Sequence, residues 1–84
     1  MKPIRLTKHA REQCVDRGAT EDEVREAVEK GSRRPAKRGR EMCRYSLPFG
    51  QTWQRKQYAI KQVAPVIKEL ASEIIVITVY TFYY

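Results

Sequence analysis

With 84 residues and 17 lysines and arginines against ten acids, the chain has the length of one domain and a formal charge of +7. A chain this short buries roughly 60% of its unfolded surface, so its core is thin and a second domain is excluded. Hydrophobic residues at 42% exclude a disordered chain, no apolar run approaches the roughly 18 residues of a membrane helix, and MKPIRLTKHA lacks the apolar segment of a secretory leader, so a cytoplasmic protein is expected.

In chain order, Thr7 can cap a helix running to about Arg17, and Gly18 can end it in the left-handed conformation. Thr20 and Glu23 form a T-x-x-E capping box for a second helix over about 20–30, whose dry stripe is Val24, Ala27, Val28 and Gly31. Its first turn is acidic, where the helix dipole favours carboxylates. Residues 31–40, GSRRPAKRGR, have two glycines, a proline and no apolar periodicity, and read as a basic loop. Strand-favouring residues dominate from Glu41 onward, giving strands over about 41–47, 53–63, 66–70 and 73–82. Pro65 predicts a bulge or interruption between Val63 and Val66. The run from Ile74 to Val79 is apolar at nearly every position, as in a strand covered on both faces. The expected architecture is one α+β domain over 1–84, with two N-terminal helices packed on a three- to four-stranded antiparallel sheet.

Cys14 and Cys43 are far apart, with no CxxC and only one histidine in the chain, so neither a disulfide framework nor a metal or other cofactor is expected. Charge is more telling. From Lys30 to Lys61 there are ten lysines or arginines against the single acid Glu41, a local excess of nine positive charges. A field this lopsided attracts a polyanion, with nucleic acid the leading candidate and an acidic protein partner the alternative.

The pattern T-x-H-A-R-E-x-x-x-x-R-G-A-T-E-D-E-V-x-E-A-V-E-x-G over Thr7–Gly31, followed by a basic stretch and the terminal strand IIVITVY, resembles a bacterial family of small proteins related to BrnT and to the RelE-type toxins. The resemblance implies a RelE-like fold whose exposed sheet face and basic loops meet RNA. It also implies a metal-independent endoribonuclease, associated with the ribosome or held in check by an antitoxin protein. A non-catalytic RNA- or ribosome-binding module is the competing expectation.

Cleaving RNA without a metal needs a base for the 2′-hydroxyl, a cation for the phosphorane and an acid for the leaving oxygen. His9 is the one group whose ordinary pKa suits proton transfer near neutrality. Arg17 lies two turns along the same helix, and the spacing of His9, Gln13 and Arg17 suits either chemistry or anchoring of the helix to the sheet. RelE-type chemistry implies further candidates in Arg44, Tyr45, Arg55, Lys61 and Tyr80. Arg33, Arg34, Lys37, Arg38 and Arg40, with Arg55 and Lys56, are expected to contact phosphate without reading sequence. Trp53, Tyr80, Phe82, Tyr83 and Tyr84 are placed either to stack bases or to form an interface, including a homo-oligomer built through the aromatic C-terminal strand.

Overall fold

Side-chain caps open both helices, and a left-handed glycine closes the first. In the computed structural model, which describes residues 2–84, Thr7 accepts from the Ala10 N–H and opens α1 (Lys8–Arg17), and Gly18 closes it at φ 74°. The Thr20/Glu23 box is complete and opens α2 (Glu21–Lys30). Around them run β1 (Ile4–Leu6), β2 (Ser32–Pro35), a 3-10 turn (Lys37–Gly39), β3 (Glu41–Trp53), β4 (Lys56–Glu69) and β5 (Ile74–Tyr83). Ala10 and Cys14 of α1 and Val24, Ala27 and Val28 of α2 meet Cys43, Val63, Ile67, Ile74, Val76 and Val79 in a single buried core.

The sheet departs from the expected one. It has five strands in the order β1-β5-β4-β3-β2, and it is mixed, since β1 runs parallel to β5 while all other pairs are antiparallel. β1 is three residues long, too short to show a period, and is held by pairing with Ile74–Val76 and by Lys2–Glu69 and Arg5–Glu73 ion pairs. The expected loop 31–40 contains β2, exposed at all four positions, which exists through its ladder with β3 rather than through a buried face. Charged residues and a terminal proline on such an edge discourage pairing with foreign strands.

The expected breaks over 48–52 and near Pro65 are also absent. β3 continues through PFGQT because Phe49 and Gly50 together face the single residue Ala59, a bulge accommodated by Gly50 at φ 60°. β4 continues through Pro65 with its β3 register unchanged on either side, Met42 opposite Val66 and Tyr45 opposite Val63. Only the rungs at Cys43 and Arg44 are missing, where proline has no N–H to give. The bulge near this point lies instead between Val66 and Ile67, with Ile77 as the extra residue of β5.

β3 and β4 therefore form one long hairpin closed by the two residues Gln54 and Arg55, at φ 49° and φ 70°. A two-residue turn with both central φ positive favours Asn-Gly, and neither residue here suits it. Replacing the pair (Q54N/R55G) is expected to raise stability by about 1 kcal/mol and the melting midpoint by roughly 4–8 °C, read by thermal unfolding.

Both helices pack on one face of the sheet. Alternation along the strands sends the intervening residues to the other face, which carries no helix. By register its rows are Met42, Val66 and Thr78, then Arg44, Ala64 and Tyr80, then Ser46, Gln62 and Phe82, then Pro48, Ile60 and Tyr84.

Candidate nucleic-acid interface

The spacing of His9, Gln13 and Arg17 has a structural answer. β1 pairs only with Ile74–Val76, so from Ile77 to Tyr83 one side of β5 has no strand beside it. The α1 margin fills that place with side chains. Thr7 Oγ1 donates to the Ile77 carbonyl at 3.2 Å, His9 Nε2 lies 3.3 Å from Thr78 Oγ1, and Arg17 Nη1 donates to the Val79 carbonyl at 2.9 Å. Gln13 Oε1 is buried between them and, among the described residues, has no hydrogen-bond partner.

Arg17 reaches the strand edge and lays its guanidinium 4.8 Å from the centre of the Tyr80 ring. Its own carbonyl accepts from Thr81 Oγ1 at 3.0 Å and from the Tyr83 hydroxyl at 2.6 Å. On the open face, Arg44 spans Gln62, donating to its Oε1 at 3.1 Å, and approaches the Phe82 ring at 5.3 Å. Tyr80 and Tyr84 are 39% and 63% exposed, so ring faces are available there. Guanidinium groups laid against the exposed Tyr80 and the half-buried Phe82 form a surface on which unpaired bases and their phosphates can both be held.

Trp53, Phe49 and Tyr58 from the hairpin gather around Tyr83, with Trp53 stacked on it at 5.1 Å between centroids. Burial pushes the Tyr83 hydroxyl up from its ordinary ionisation range. Beside this cluster an open cleft of about 480 Å³ runs along the end of β5. Trp53, Gln54 and Tyr58 of the hairpin and Asp16 and Arg17 of α1 are among the residues that line it.

The expected site residues separate into two groups. His9, Arg17, Arg44 and Tyr80 lie along the β5 margin and the open face. Tyr45 and Lys61 lie on the helix side. The Tyr45 hydroxyl is held above its ordinary ionisation range by a hydrogen bond with the Glu26 carboxylate. Lys61 is buried, donating to the Gly18 carbonyl at 2.8 Å and pairing with Glu23 at 2.8 Å.

The basic segment separates as well. Arg33 is engaged by Glu69 at 2.6 Å and Glu41 at 3.6 Å, and the Glu69 hydrogen bond raises its pKa further. Lys2 and Arg33 together hold the Glu69 carboxyl below its usual range. Among the described residues, Arg34, Lys37, Arg38, Arg40, Arg44, Arg55 and Lys56 make no salt bridge. Four of these cations flank the turn between β2 and β3, and Arg55 and Lys56 sit at the opposite end of β3. Thirteen strand residues put the two clusters roughly 40 Å apart, close to the 41 Å long dimension of the molecule. The open aromatic face lies between them.

No known protein family, curated protein or solved structure matches this chain.

Among the described residues no three His, Cys, Asp or Glu side chains are grouped to hold a metal ion, and no helix is long and apolar enough to cross a membrane. Cys14 and Cys43 are free and buried, and burial pushes both thiols up, away from reactivity. Sequence reasoning missed Asp16 and Gln54. Neither belongs to a motif, and the fold of the hairpin tip against the end of α1 is what brings them to one cleft.

Proposed function

We propose that the protein binds single-stranded RNA along the open face of its sheet. The supporting observation is the row Tyr80, Phe82 and Tyr84, with Arg17 and Arg44 laid against the first two rings and salt-bridge-free cations at both ends. Rings on a sheet face take unpaired bases, and the terminal cations follow the backbone. The resemblance of Thr7–Gly31 to the BrnT and RelE-type toxins adds support for RNA as the polymer. That resemblance, with His9, Arg17 and Tyr80 on one margin, also supports metal-independent cleavage of the bound strand, and an antitoxin as the protein partner.

Binding of a labelled oligouridylate, followed by anisotropy, is expected to weaken on the order of a hundredfold between about 50 and 200 mM salt. The R55A/K56A variant lowers the salt slope by about 0.7 for each phosphate it no longer neutralises, whereas Y80A weakens binding by about 1–3 kcal/mol at an unchanged slope. Binding indifferent to salt over this range contradicts the proposal. Incubation in EDTA separates the two activities: fragments that disappear in H9A indicate cleavage, and an intact strand indicates binding alone.

A further inference from the structure

We propose that the cleft beside β5 is a base-reading pocket for one unpaired guanine, with Asp16 and Gln54 as its specificity-determining residues. The proposal rests on the RNA-binding reading above and assigns it a sequence preference.

Two independent observations converge on this pocket. The first is a carboxylate where a pure phosphate groove has no use for one. Asp16 is exposed beside Arg17 and, among the described residues, makes neither a salt bridge nor a side-chain hydrogen bond. Of the unpaired helix acids among the described residues, Asp16 lines the cleft, where its carboxylate can accept from a hydrogen-bond donor on a ligand. The second is Gln54, the first residue of the two-residue hairpin turn, whose position at the tip makes it part of the lining of the same cleft.

Between these polar groups the walls are aromatic, with Trp53 and Tyr58 from the hairpin and Tyr80 on β5 beneath Arg17. A volume of about 480 Å³ falls within the range of roughly 300–1,000 Å³ in which small ligands are held. A base stacked on these rings presents its Watson–Crick edge to the polar groups. Guanine alone of the four bases carries two adjacent donors on that edge, N1–H and N2–H, beside the acceptor O6. The Asp16 carboxylate accepts from both donors, and the Gln54 amide donates to O6. Cytosine and adenine each offer the carboxylate a single amino group beside an acceptor nitrogen, and uracil offers a single N3–H between two carbonyls. Arg17 holds the phosphate attached to the bound nucleotide.

The test uses the full chain and labelled heptaribonucleotides of uridine with G, A, C, U or inosine at the centre, measured by anisotropy at one salt concentration. The guanine strand is expected to bind roughly ten- to a hundredfold more tightly than the A, C and U strands, the range of a good two-bond base contact. Inosine, which lacks the N2 amino group, falls between. In Asp16→Asn the guanine strand loses its advantage, while Asp22→Asn, an exposed acid on α2, keeps it. Salt-sensitive binding with no base preference, or a preference that survives Asp16→Asn, overturns the guanine pocket and leaves the RNA reading standing. Salt-insensitive binding, or none, to every strand overturns both.

Discussion

Gly18→Ala is expected to destabilise the protein by about 3 kcal/mol and to lower the melting midpoint by roughly 10–20 °C. Two costs act at the same atom. Gly18 ends α1 at φ 74°, where an L residue other than glycine or asparagine costs roughly 1–2 kcal/mol. A Cβ at this position would lie 2.6 Å and 2.8 Å from the Trp53 ring and 2.8 Å from the Tyr83 hydroxyl oxygen. Forcing a methyl into filled space costs roughly a further 1–3 kcal/mol. The two parts separate in a cycle with Trp53→Ala. In that background the added methyl meets an emptied site, and its cost falls toward the backbone part alone. A thermal midpoint for Gly18→Ala within a degree of the parent contradicts the packing of the hairpin tip beneath the end of α1.

Gly18 also shows what the sequence discloses and what it withholds. A glycine after Arg17 announces a helix end, and Thr7, Thr20 and Glu23 announce two starts, because capping is a contest among groups within four residues of each other. Val24, Ala27 and Val28 are legible for the same reason, since the helical period places them on one stripe. The ring that lies over Gly18 comes from position 53, and nothing local to either residue predicts their meeting. β1 and β2 are hidden in a similar way. Three residues have no period, and SRRP has no buried face, so both strands exist only because β5 and β3 are there to pair with them. Pro48, Gly50 and Pro65 are ordinary signals for ending strands. They fail here because one long hairpin keeps Pro48 paired with Ile60, takes up Gly50 in a bulge and leaves two empty rungs beside Pro65.

The site divides along the same line. The rhythm of His9, Gln13 and Arg17 is visible in the sequence, and the structure gives it the task of filling the side of β5 beyond β1. The basic run is visible too, but its single block of charge becomes two clusters at opposite ends of the sheet, with Arg33 and Lys61 withdrawn into ion pairs. Asp16 and Gln54 acquire meaning only from the tertiary fold.

Lys61→Ala is expected to destabilise the chain by about 2–3 kcal/mol, with little relief from added salt. The residue is 5% exposed, and its ammonium serves three neighbours at once: the Gly18 carbonyl at 2.8 Å, Glu23 Oε1 at 2.8 Å and the Phe49 ring at 5.5 Å. Removing one partner of a buried pair typically costs about 3–5 kcal/mol, and the partial exposure of Glu23, 26% at its side chain, places this pair below that range. Glu23 Oε1 also accepts from the Thr20 N–H in the capping box, so the carboxylate stays ordered after the lysine is gone and the coupling falls mainly on the Gly18 corner. Lys61→Met keeps the stem and removes the charge, and it is expected to recover about half of the loss through packing. Below its melting midpoint, Lys61→Met is expected to bind RNA within twofold of the parent, whereas a loss beyond tenfold without loss of fold would place the ammonium at the ligand. The corner that Lys61 secures carries Asp16 and Arg17 on the preceding turn of α1. Its looser variants are therefore expected to blur the proposed guanine preference before they weaken the proposed phosphate binding, because base reading depends on a fixed geometry and counterion release does not.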